Sequence, residues 1–548
     1  MANFQHCKYR EIFGQPRNDS SLIFGVWSEP FVEEVTLGPE VEYILVVCEN
    51  NASEIVSKTY HALIARRPEF EELDMLKLKK RQVEVSPKET LNVIMIGLDG
   101  LSRHQFLRSM SMTQSFLNKG NNTFDMTMHT QTGTNTFPNY VPLLTGRSDT
   151  EIERYWNSKK HYTDVFGFVW KDFMDAGYKT LFSEDVPSIG GFHFMKKGFL
   201  SPPTTYYTHP ICLAIERDEK IWKAGRYCIG NTPEIVFHFN YIEKMFDTFK
   251  DVPLYAMAFI TKLTHGDMTL SKRVDEHILN FYTSLEKKGH LNNTLLITFS
   301  DHGPRWGSIR ATMNGMVESR APYLFLTFPQ WFLDKYPDVA ANLKTNTRRL
   351  TSHVDTHATL QDLIYFKATG NVPIVPDKLG ISLFREIPKN RTCDDAKIPM
   401  EFCLCNQNQM KMVFPNSAIF QKLAELLLKS INSKHNSSYC VELSLHKVLQ
   451  IVEIMLPFVG RDDKRLYKVK VQTTPGDAVY EGTVKTPKVE ESILLESLEK
   501  IGNGTKIEDE GISMGKTVDR LTLYKGQADC EVDAARKPYC YCKNLIVV

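Results

Sequence analysis

The sequence has no long apolar run and almost no net charge. Its 548 residues are 42% apolar and 24% charged, and the formal net charge is +1. Uncharged apolar stretches such as 43–48 and 295–299 are far shorter than the roughly 20 residues that a membrane-spanning helix needs. The balanced charge gives no reason to expect a nucleic acid or an anionic membrane as partner. We therefore expect no membrane span in this chain and no nucleic-acid partner.

The sequence also lacks the cysteine spacing of zinc ribbons, although it contains 11 cysteines. Late pairs such as Cys403 with Cys405 are separated by one residue, and no histidine pair follows at finger spacing. Disulfides formed in an oxidising compartment explain the clustering better than reduced thiols do. Cys212 and Cys228 are expected to form a disulfide that closes an insert. The odd count leaves at least one thiol free or in an intermolecular bond.

The N-terminus lacks the basic and apolar regions of a secretory signal peptide. Asn-x-Ser/Thr sequons are typical of secreted glycoproteins, although a chain this rich in asparagine contains several by chance. The seven sequons begin at Asn18, Asn51, Asn121, Asn292, Asn390, Asn436 and Asn503. Together with the cysteines, they favour an extracellular or secretory-lumen location, reached through a leader that this sequence does not contain.

The chain is too long for one compact core, so several domains are expected. Residues 1–85 are predicted to form a small β-rich module, which ends in a charged linker at 71–89. Residues 86–386 alternate strands with helices, which predicts a mostly parallel sheet sandwiched by helices. Residues 387–548 are predicted to form a Cys-rich α+β domain. The basic run at 77–81 is interpreted as the solvated face of the linker, rather than as a nucleic-acid contact.

Apolar runs bounded by turn residues predict the strands, and periodic segments predict the helices. The strand candidates are 32–35, 41–47, 93–98, 179–182, 254–259, 295–299, 323–327 and 467–471. The helix candidates are 165–176, 232–249, 271–288 and 418–431, and two of these end at a glycine, the usual helix stop.

Two apolar runs about 200 residues apart each end on a carboxylate. Asp99 ends the first run, and Asp301 and His302 end the second. Open α/β sheets bind ligands at the carboxyl ends of their strands, and a buried carboxylate is costly unless a cation pairs with it. We therefore expect these three side chains to converge on one metal ion, with Gly303 allowing a close backbone approach.

Between these blocks, Thr136 begins the sequence Thr-Phe-Pro-Asn and offers a hydroxyl to the same metal. A threonine hydroxyl is a poor nucleophile alone, but coordination to a divalent ion lowers its pKa and orients it. Three oxygens and one nitrogen suit Zn²⁺, Mn²⁺, Ca²⁺ or Mg²⁺, and the sequence does not choose between them. Taken singly, these residues are more often turn or cap residues. Their combination on strand ends favours one divalent metal.

These blocks resemble the alkaline phosphatase superfamily, which includes phosphomonoesterases, nucleotide phosphodiesterases, sulfatases and lipoteichoic-acid synthases. The Thr136 block, with Leu-Thr-Gly at 144–146, is similar to the nucleophile block of nucleotide pyrophosphatase/phosphodiesterases. Asp-His-Gly at 301–303 is similar to the Asp-His-Gly motif of the superfamily. The similarity covers residues 90–385 and implies an alkaline-phosphatase-like α/β fold.

The chain resembles more closely an uncharacterised sulfatase-like animal family, domain of unknown function 229. The resemblance lies in Asp-His-Gly-x-Arg at 301–305 and in the Tyr-Cys-Tyr-Cys tail at 539–542. Sulfatases make formylglycine from the first residue of Cys/Ser-x-Pro-x-Arg, whereas this chain has Thr136 there and Tyr140 in place of the arginine. Ordinary sulfatase chemistry is therefore not expected.

The phosphodiesterases of this superfamily carry a second metal on an Asp and a His four residues apart, plus a later His. Here the comparable pair is Thr261 and His265, and the later histidine is His353 or His357. Because Thr261 replaces the Asp, the resemblance implies one metal, although Asp267 is an alternative ligand. His265 is then expected to contact substrate or to protonate the leaving group, or else to be an ordinary hydrogen-bonded histidine.

Three further residues are candidates for contact with the substrate. Arg305 is a candidate phosphate clamp, because guanidinium binds tetrahedral oxyanions bidentately, and a surface ion pair is its alternative role. Glu184 and Asp185 follow a predicted strand and are candidates to line the pocket.

The sequence thus predicts a metal-dependent hydrolase or transferase of phosphoesters, with phosphodiesters favoured and Thr136 as nucleophile. The expected partner is a small-molecule, glycan-linked or lipid-linked phosphoester. One alternative is a sulfoester hydrolase that uses unmodified Thr136. The other is a secreted binding protein that keeps the fold and has lost turnover.

Overall fold

The computed structural model divides into two compact units. The described residues are 4–218, 227–230, 232–368, 380–405, 410–436, 438–454, 464–502, 506–524 and 526–546. The first unit comprises Met1–Gly303 with Glu318–Ile398, and the second comprises Pro304–Val317 with Pro399–Val548. The domain boundaries derived from the sequence stay a prediction. None of the described helices is long and apolar enough to cross a membrane.

A four-stranded antiparallel sheet begins the first unit and confirms the predicted β-rich module. Its strands are β1 (His6–Gln15), β2 (Asn18–Phe24), β3 (Tyr43–Glu49) and β4 (Ile55–Ala62), in the order β2-β1-β3-β4. A disulfide between Cys7 and Cys48 joins β1 to β3. The run 32–35 was wrongly predicted as a strand, because only the preceding residue, Phe31, bridges to the sheet.

The charged segment 71–89, predicted to be a linker, is mostly the helix α1 (Pro68–Glu84). Lys179 Nζ lies 3.0 Å from Asp74 Oδ2, and these side chains are only 2% and 10% exposed. Arg81 is buried and donates two hydrogen bonds to the Ile364 carbonyl. The linker prediction was wrong because several of these charges are paired in the interior of the unit rather than solvated.

A seven-stranded sheet forms the centre of the first unit. The strands of this sheet and of a separate two-stranded ribbon are β5 (Asn92–Leu98), β6 (Thr123–Asp125), β7 (Lys179–Glu184), β8 (Tyr206–Tyr207), β9 (Cys228–Ile229), β10 (Thr232–Pro233), β11 (Leu254–Ile260), β12 (Thr294–Phe299) and β13 (Leu324–Thr327). The sheet order is β6-β13-β12-β5-β11-β7-β8, and β9 pairs with β10. Only β13 and β6 run antiparallel to their neighbours. The predicted mostly parallel sheet is confirmed.

Helices pack against both faces of this sheet. In chain order, the helices of the first unit after β5 are α2 (Arg103–Ser109), α3 (Ser111–Leu117), α4 (Thr136–Thr145), α5 (Asp149–Glu153), α6 (Val169–Asp175), α7 (His209–Glu216), α8 (Glu234–Thr248), α9 (Lys272–Lys287), α11 (Gln330–Lys335), α12 (Pro337–Asn346) and α13 (His353–Ile364). The helix between α9 and α11, α10 (Met313–Glu318), belongs mostly to the second unit. Side chains alternate across a strand, so Val93 and Met95 enter one hydrophobic core and Ile94 and Ile96 the other.

Two of the predicted helices in this unit are confirmed as α8 and α9. The predicted helix 165–176 begins later, at Val169. Residues Thr163–Phe166 form a separate 3₁₀ turn, which ends at Gly167 with a φ of 70°. A left-handed residue cannot continue a right-handed helix, so α6 starts only after this turn.

The second unit contains a five-stranded antiparallel sheet and two long helices. The elements are β14 (Met410–Met412), α14 (Ala418–Asn432), β15 (Ser444–Ile454), β16 (Lys464–Thr474), β17 (Val479–Pro487), α15 (Glu491–Gly502) and β18 (Ser513–Arg520). The strands pair in sequence order. The predicted helix at 418–431 and strand around 467–471 are confirmed.

The cysteines confirm the disulfide prediction in general and contradict it for one pair. Disulfides join Cys440 to Cys540 and Cys530 to Cys542, and Cys393 and Cys403 are also disulfide-bonded. The predicted Cys212–Cys228 disulfide is wrong. Both residues are free cysteines, as is Cys405; the Cys212 side chain is buried on α7, whereas Cys228 is exposed.

The buried ion pair of α1 gives a test of its structural role. We expect Lys179→Met to lower the free energy of unfolding by about 3–5 kcal/mol, because Asp74 would stay buried without its partner. Urea denaturation measures this change. Lys80→Met is the matched control, since its pair with Glu84 is 3.8 Å long and both side chains are largely exposed. Lys80→Met should lower the free energy of unfolding by less than about 1 kcal/mol. Equal decreases for both variants would contradict the structural role of the buried pair.

Candidate active site

The parallel pairing of β5 with β12 brings the ends of both strands to one edge of the sheet. Phe299 is paired with Gly97, so the residues that follow each strand leave the sheet side by side. The backbone N–H of Asp99 donates to the Ile260 carbonyl, and that of Ser300 donates to the Tyr323 carbonyl. Neighbouring strands therefore fix the backbone on which the predicted ligands stand.

Asp99, Asp301 and His302 converge as the sequence predicts. His302 Nε2 lies 3.5 Å from Asp99 Oδ1 and 3.3 Å from Asp301 Oδ2. One ligand atom from each residue lies within 4.8 Å of the other two, and the three residues are at most 2% exposed. Two carboxylates and one imidazole thus meet where water does not reach them.

The hydrogen bonds around this cluster favour a bound cation. His302 Nδ1 donates to the Gly303 carbonyl at 2.7 Å, which leaves the lone pair of a neutral ring on Nε2, towards the carboxylates. Asp301 Oδ1 accepts the backbone N–H groups of Gly100 and His302. Asp301 Oδ2 is buried and accepts no hydrogen bond from the described residues. Such a donor set fits a divalent metal ion, because a positive charge would offset the buried negative charge.

Two glycines allow the backbone to close around the cluster. Gly100 has a φ of +69°, a conformation that other residues rarely adopt, and its N–H reaches Asp301. A Cβ atom on Gly303 would lie 1.9 Å from the Glu318 carbonyl oxygen. The close backbone approach predicted for Gly303 is therefore present.

The two later histidines lie outside the ligand set. His353 Nε2 donates to the Asp301 carbonyl at 2.7 Å, and His353 Nδ1 lies 3.4 Å from His129 Nε2. Burial lowers the pKa of His353 to about 4, so the ring is neutral near pH 7. His353 therefore supports the backbone of a ligand. His357 lies beside Gly146, where an added Cβ would be 2.5 Å from its Nδ1.

Thr136 is the first residue of α4 and is half-buried. Asn139 of the same motif holds the preceding loop: its Oδ1 accepts the N–H groups of Thr132 and Gly133, and its Nδ2 donates to the Gly133 and Asn135 carbonyls. The start of α4 is thus rigid. The dipole of this helix also favours negative charge at the position of Thr136.

Tyr140 is a site residue that the sequence analysis missed. It lies four residues after Thr136, on the same face of α4, and is fully buried. Its pKa is raised well above the usual value, first by burial and then by the carboxylates of Glu184, Asp301 and Asp99. The Tyr140 hydroxyl is therefore neutral and lies near the predicted metal ligands. The only sequence signal was its spacing from Thr136.

Glu184 and Asp185 have different surroundings. Burial raises the pKa of Glu184. Its Oε1 accepts the Gly191 N–H at 3.1 Å, so Glu184 holds the backbone that lies beside Tyr140. Asp185 accepts the N–H groups of Thr261 and Lys262, and burial raises its pKa to about 6. Asp185 thus holds the turn that carries His265.

The remaining predicted residues lie on less buried segments. His265 is half-buried, and its N–H donates to the Thr261 carbonyl at 2.9 Å. Asp267, the alternative ligand, is exposed and caps a 3₁₀ turn by accepting the Thr269 N–H. Arg305 belongs to the second unit, where its guanidinium lies 3.9 Å from Asp519 Oδ1 and over the Trp306 ring. The catalytic role of His265 and the clamp role of Arg305 stay predictions.

Three of the solved structures that match this chain do so at low similarity. A protein of the alkaline phosphatase superfamily from Vibrio parahaemolyticus is 12% identical, with a TM-score of 0.36 over 76% of this chain and 89% of that chain. A phosphonate monoester hydrolase from Silicibacter pomeroyi is 12% identical, with a TM-score of 0.39 over 73% and 89%. The lipoteichoic acid synthase LtaP from Listeria monocytogenes is 12% identical, with a TM-score of 0.36 over 76% and 93%.

The sequence itself matches the model of a protein family. No curated protein matches it. The model of a family described as "Protein of unknown function (DUF229)" matches residues 2–449, which confirms the resemblance inferred from the sequence motifs. Because this match covers most of the chain, the protein belongs to the DUF229 family.

Proposed function

We propose that this protein is a metal-dependent hydrolase or transferase of phosphoesters, with phosphodiesters favoured and Thr136 as nucleophile. The observation that carries the proposal is the convergence of Asp99, Asp301 and His302 Nε2 in a buried cluster. A single divalent cation held by these atoms and the Thr136 hydroxyl would lower the hydroxyl pKa and stabilise negative charge on the phosphoryl oxygens.

Thr136 is the nucleophile in this mechanism. The Thr136 hydroxyl gives its proton to water, and its oxygen attacks phosphorus in line with the leaving alcohol, so that a P–O bond to Thr136 forms as the bond to the leaving oxygen breaks. The rigid start of α4, held by Asn139, keeps the hydroxyl in position and limits the entropic cost of the attack. His265 protonates the leaving oxygen. Water or an acceptor alcohol then attacks the phosphothreonine and releases the product.

The neutral Tyr140 hydroxyl has a supporting role. It is fully buried beside the Glu184 carboxylate, which together with burial keeps its pKa well above the usual value. A neutral donor near two metal-binding carboxylates adds no negative charge to the site. It is placed to donate a hydrogen bond to a phosphoryl oxygen, which strengthens as charge develops in the transition state.

Activity tests the nucleophile. We expect the purified protein to hydrolyse a bis-aryl phosphate faster than an aryl phosphate or an aryl sulfate. Thr136→Ala should lower kcat by at least about 10³-fold, since the covalent route is lost. Thr150→Ala, at an exposed threonine, is the matched control and should keep full activity. Wild-type protein inactive on all three esters, or Thr136→Ala as active as wild type, would contradict the mechanism.

Metal content tests the ligands independently of turnover. We expect one divalent metal per chain by elemental analysis, and loss of that metal in Asp301→Asn, which keeps the shape of the side chain. Asp251→Asn, at an exposed carboxylate, should keep the metal. An Asp301→Asn variant that binds metal as tightly as wild type would show that the buried cluster is not the site.

The hydrogen bond from His353 to the Asp301 carbonyl is expected to affect metal affinity less than loss of a ligand does. His353→Phe removes the hydrogen bond to the Asp301 carbonyl and leaves all ligands in place. Loss of such a supporting contact typically weakens metal binding by about 10–100-fold. Competition with a chelator measures the affinity, and His446→Phe, at an exposed histidine, is the control. Unchanged affinity in a folded His353→Phe protein would contradict the supporting role.

A further inference from the structure

The segment 190–196 forms a wall against the first turn of α4. A Cβ atom on Gly191 would lie 3.4 Å from Thr136 Cγ2 and 2.6 Å from the Tyr140 ring, so this backbone touches both side chains. The Gly191 N–H is held by Glu184. His193 Nε2 lies 2.7 Å from Asp19 Oδ2, which attaches the same segment to β2. The wall is therefore fixed on both sides.

Lys196 places an ammonium group over the ring of the residue that follows the proposed nucleophile. Its Nζ lies 4.3 Å from the centroid of the Phe137 ring, and Phe137 directly follows Thr136. The Phe137 ring is itself stacked on Trp156, with centroids 5.6 Å apart and an interplanar angle of 24°. Lys196 Nζ donates to the Phe194 carbonyl at 2.9 Å. The ammonium is thus positioned by a fixed aromatic ring and a backbone carbonyl.

Among the described residues, Lys196 forms no close ion pair, although it is half-buried. Burial lowers its pKa to about 8, against the raising effect of Glu184, so the group is still mainly protonated at pH 7. Burial removes part of the water around the Lys196 ammonium. A bound anion would accept a charge-assisted hydrogen bond from the ammonium in place of that water. The neighbouring Lys197 differs, because it is exposed and lies over Tyr162 instead.

Apolar side chains lie next to this charge. Phe194 and Met195 are 40% and 39% exposed, which is unusual for two consecutive large apolar residues. Met195 also has a φ of +60°, a conformation that is costly for a residue with a side chain and that clusters at functional sites. The segment therefore offers one cation and an apolar surface within three residues.

We propose that Lys196, Phe194 and Met195 form a substrate-binding subsite for an amphiphilic phosphoester. Lys196 binds an anionic oxygen of the substrate, and the apolar side chains bind an alkyl portion of one ester group. This inference rests on the proposed function in assigning the subsite to a phosphoester. It narrows the substrate class to phosphoesters that carry an alkyl chain.

Binding measured without turnover tests the subsite. Isothermal titration calorimetry of Thr136→Ala protein with octyl phosphate and with methyl phosphate separates the contribution of the phosphate charge to affinity from that of the alkyl chain. We expect octyl phosphate to bind at least about tenfold more tightly, since several buried CH₂ groups each contribute roughly 0.8 kcal/mol when fully buried. Adding Lys196→Met should weaken both ligands by about tenfold, as loss of a charge-assisted hydrogen bond does. Adding Lys197→Met should change neither affinity.

A double change on the apolar side completes the test. Phe194→Ser with Met195→Ser should remove the preference for octyl phosphate and leave the affinity for methyl phosphate unchanged. Equal binding of the two phosphates, or Lys196→Met binding as tightly as Lys197→Met, would overturn the subsite. These outcomes are independent of ester hydrolysis, so a protein that binds octyl phosphate but turns over no phosphodiester would refute only the proposed function.

Discussion

The parallel pairing of β5 with β12 is the interaction on which the candidate site depends. It brings together two carboxylates that lie about 200 residues apart in the chain, and it does so where no water screens them. A buried pair of like charges is destabilising, so the fold carries an unfavourable term that a cation would relieve. The surrounding hydrogen bonds, from Gly100 to Asp301 and from His302 to Gly303, orient the three ligand atoms in advance.

Three side chains hold the backbone segments that surround this cluster. His353 holds the backbone of Asp301, Asn139 holds the loop before Thr136, and Asp185 holds the turn that carries His265. All three do so through hydrogen bonds to backbone groups, which fix position without adding flexibility. Because these segments are already ordered, none of the substrate's binding energy is needed to order them. That energy can instead stabilise the transition state.

The sequence predicted the features that depend on local patterns. Buried strands ending on a carboxylate predicted that Asp99, Asp301 and His302 converge, and they do, because neighbouring parallel strands end at one edge of the sheet. Their role as metal ligands stays a prediction. The charged helix α1 was missed, because its sequence does not reveal that Lys179 lies opposite Asp74. The Cys212–Cys228 pairing failed for the same reason, since proximity in sequence does not set proximity in space. Tyr140 and Lys196 were missed because their importance comes from the segment 190–196, which folds back on α4.

The contact between Asp19 and His193 ties the N-terminal sheet to the wall beside Thr136. Asp19 also accepts hydrogen bonds from the Phe199 N–H and the Tyr207 hydroxyl, so one side chain of β2 holds both this wall and the chain that follows it. The small sheet is therefore more than an appendage of the larger one. It holds the segment 190–196 in place, so the position of this segment beside Thr136 is set in part by residues that precede the central sheet altogether.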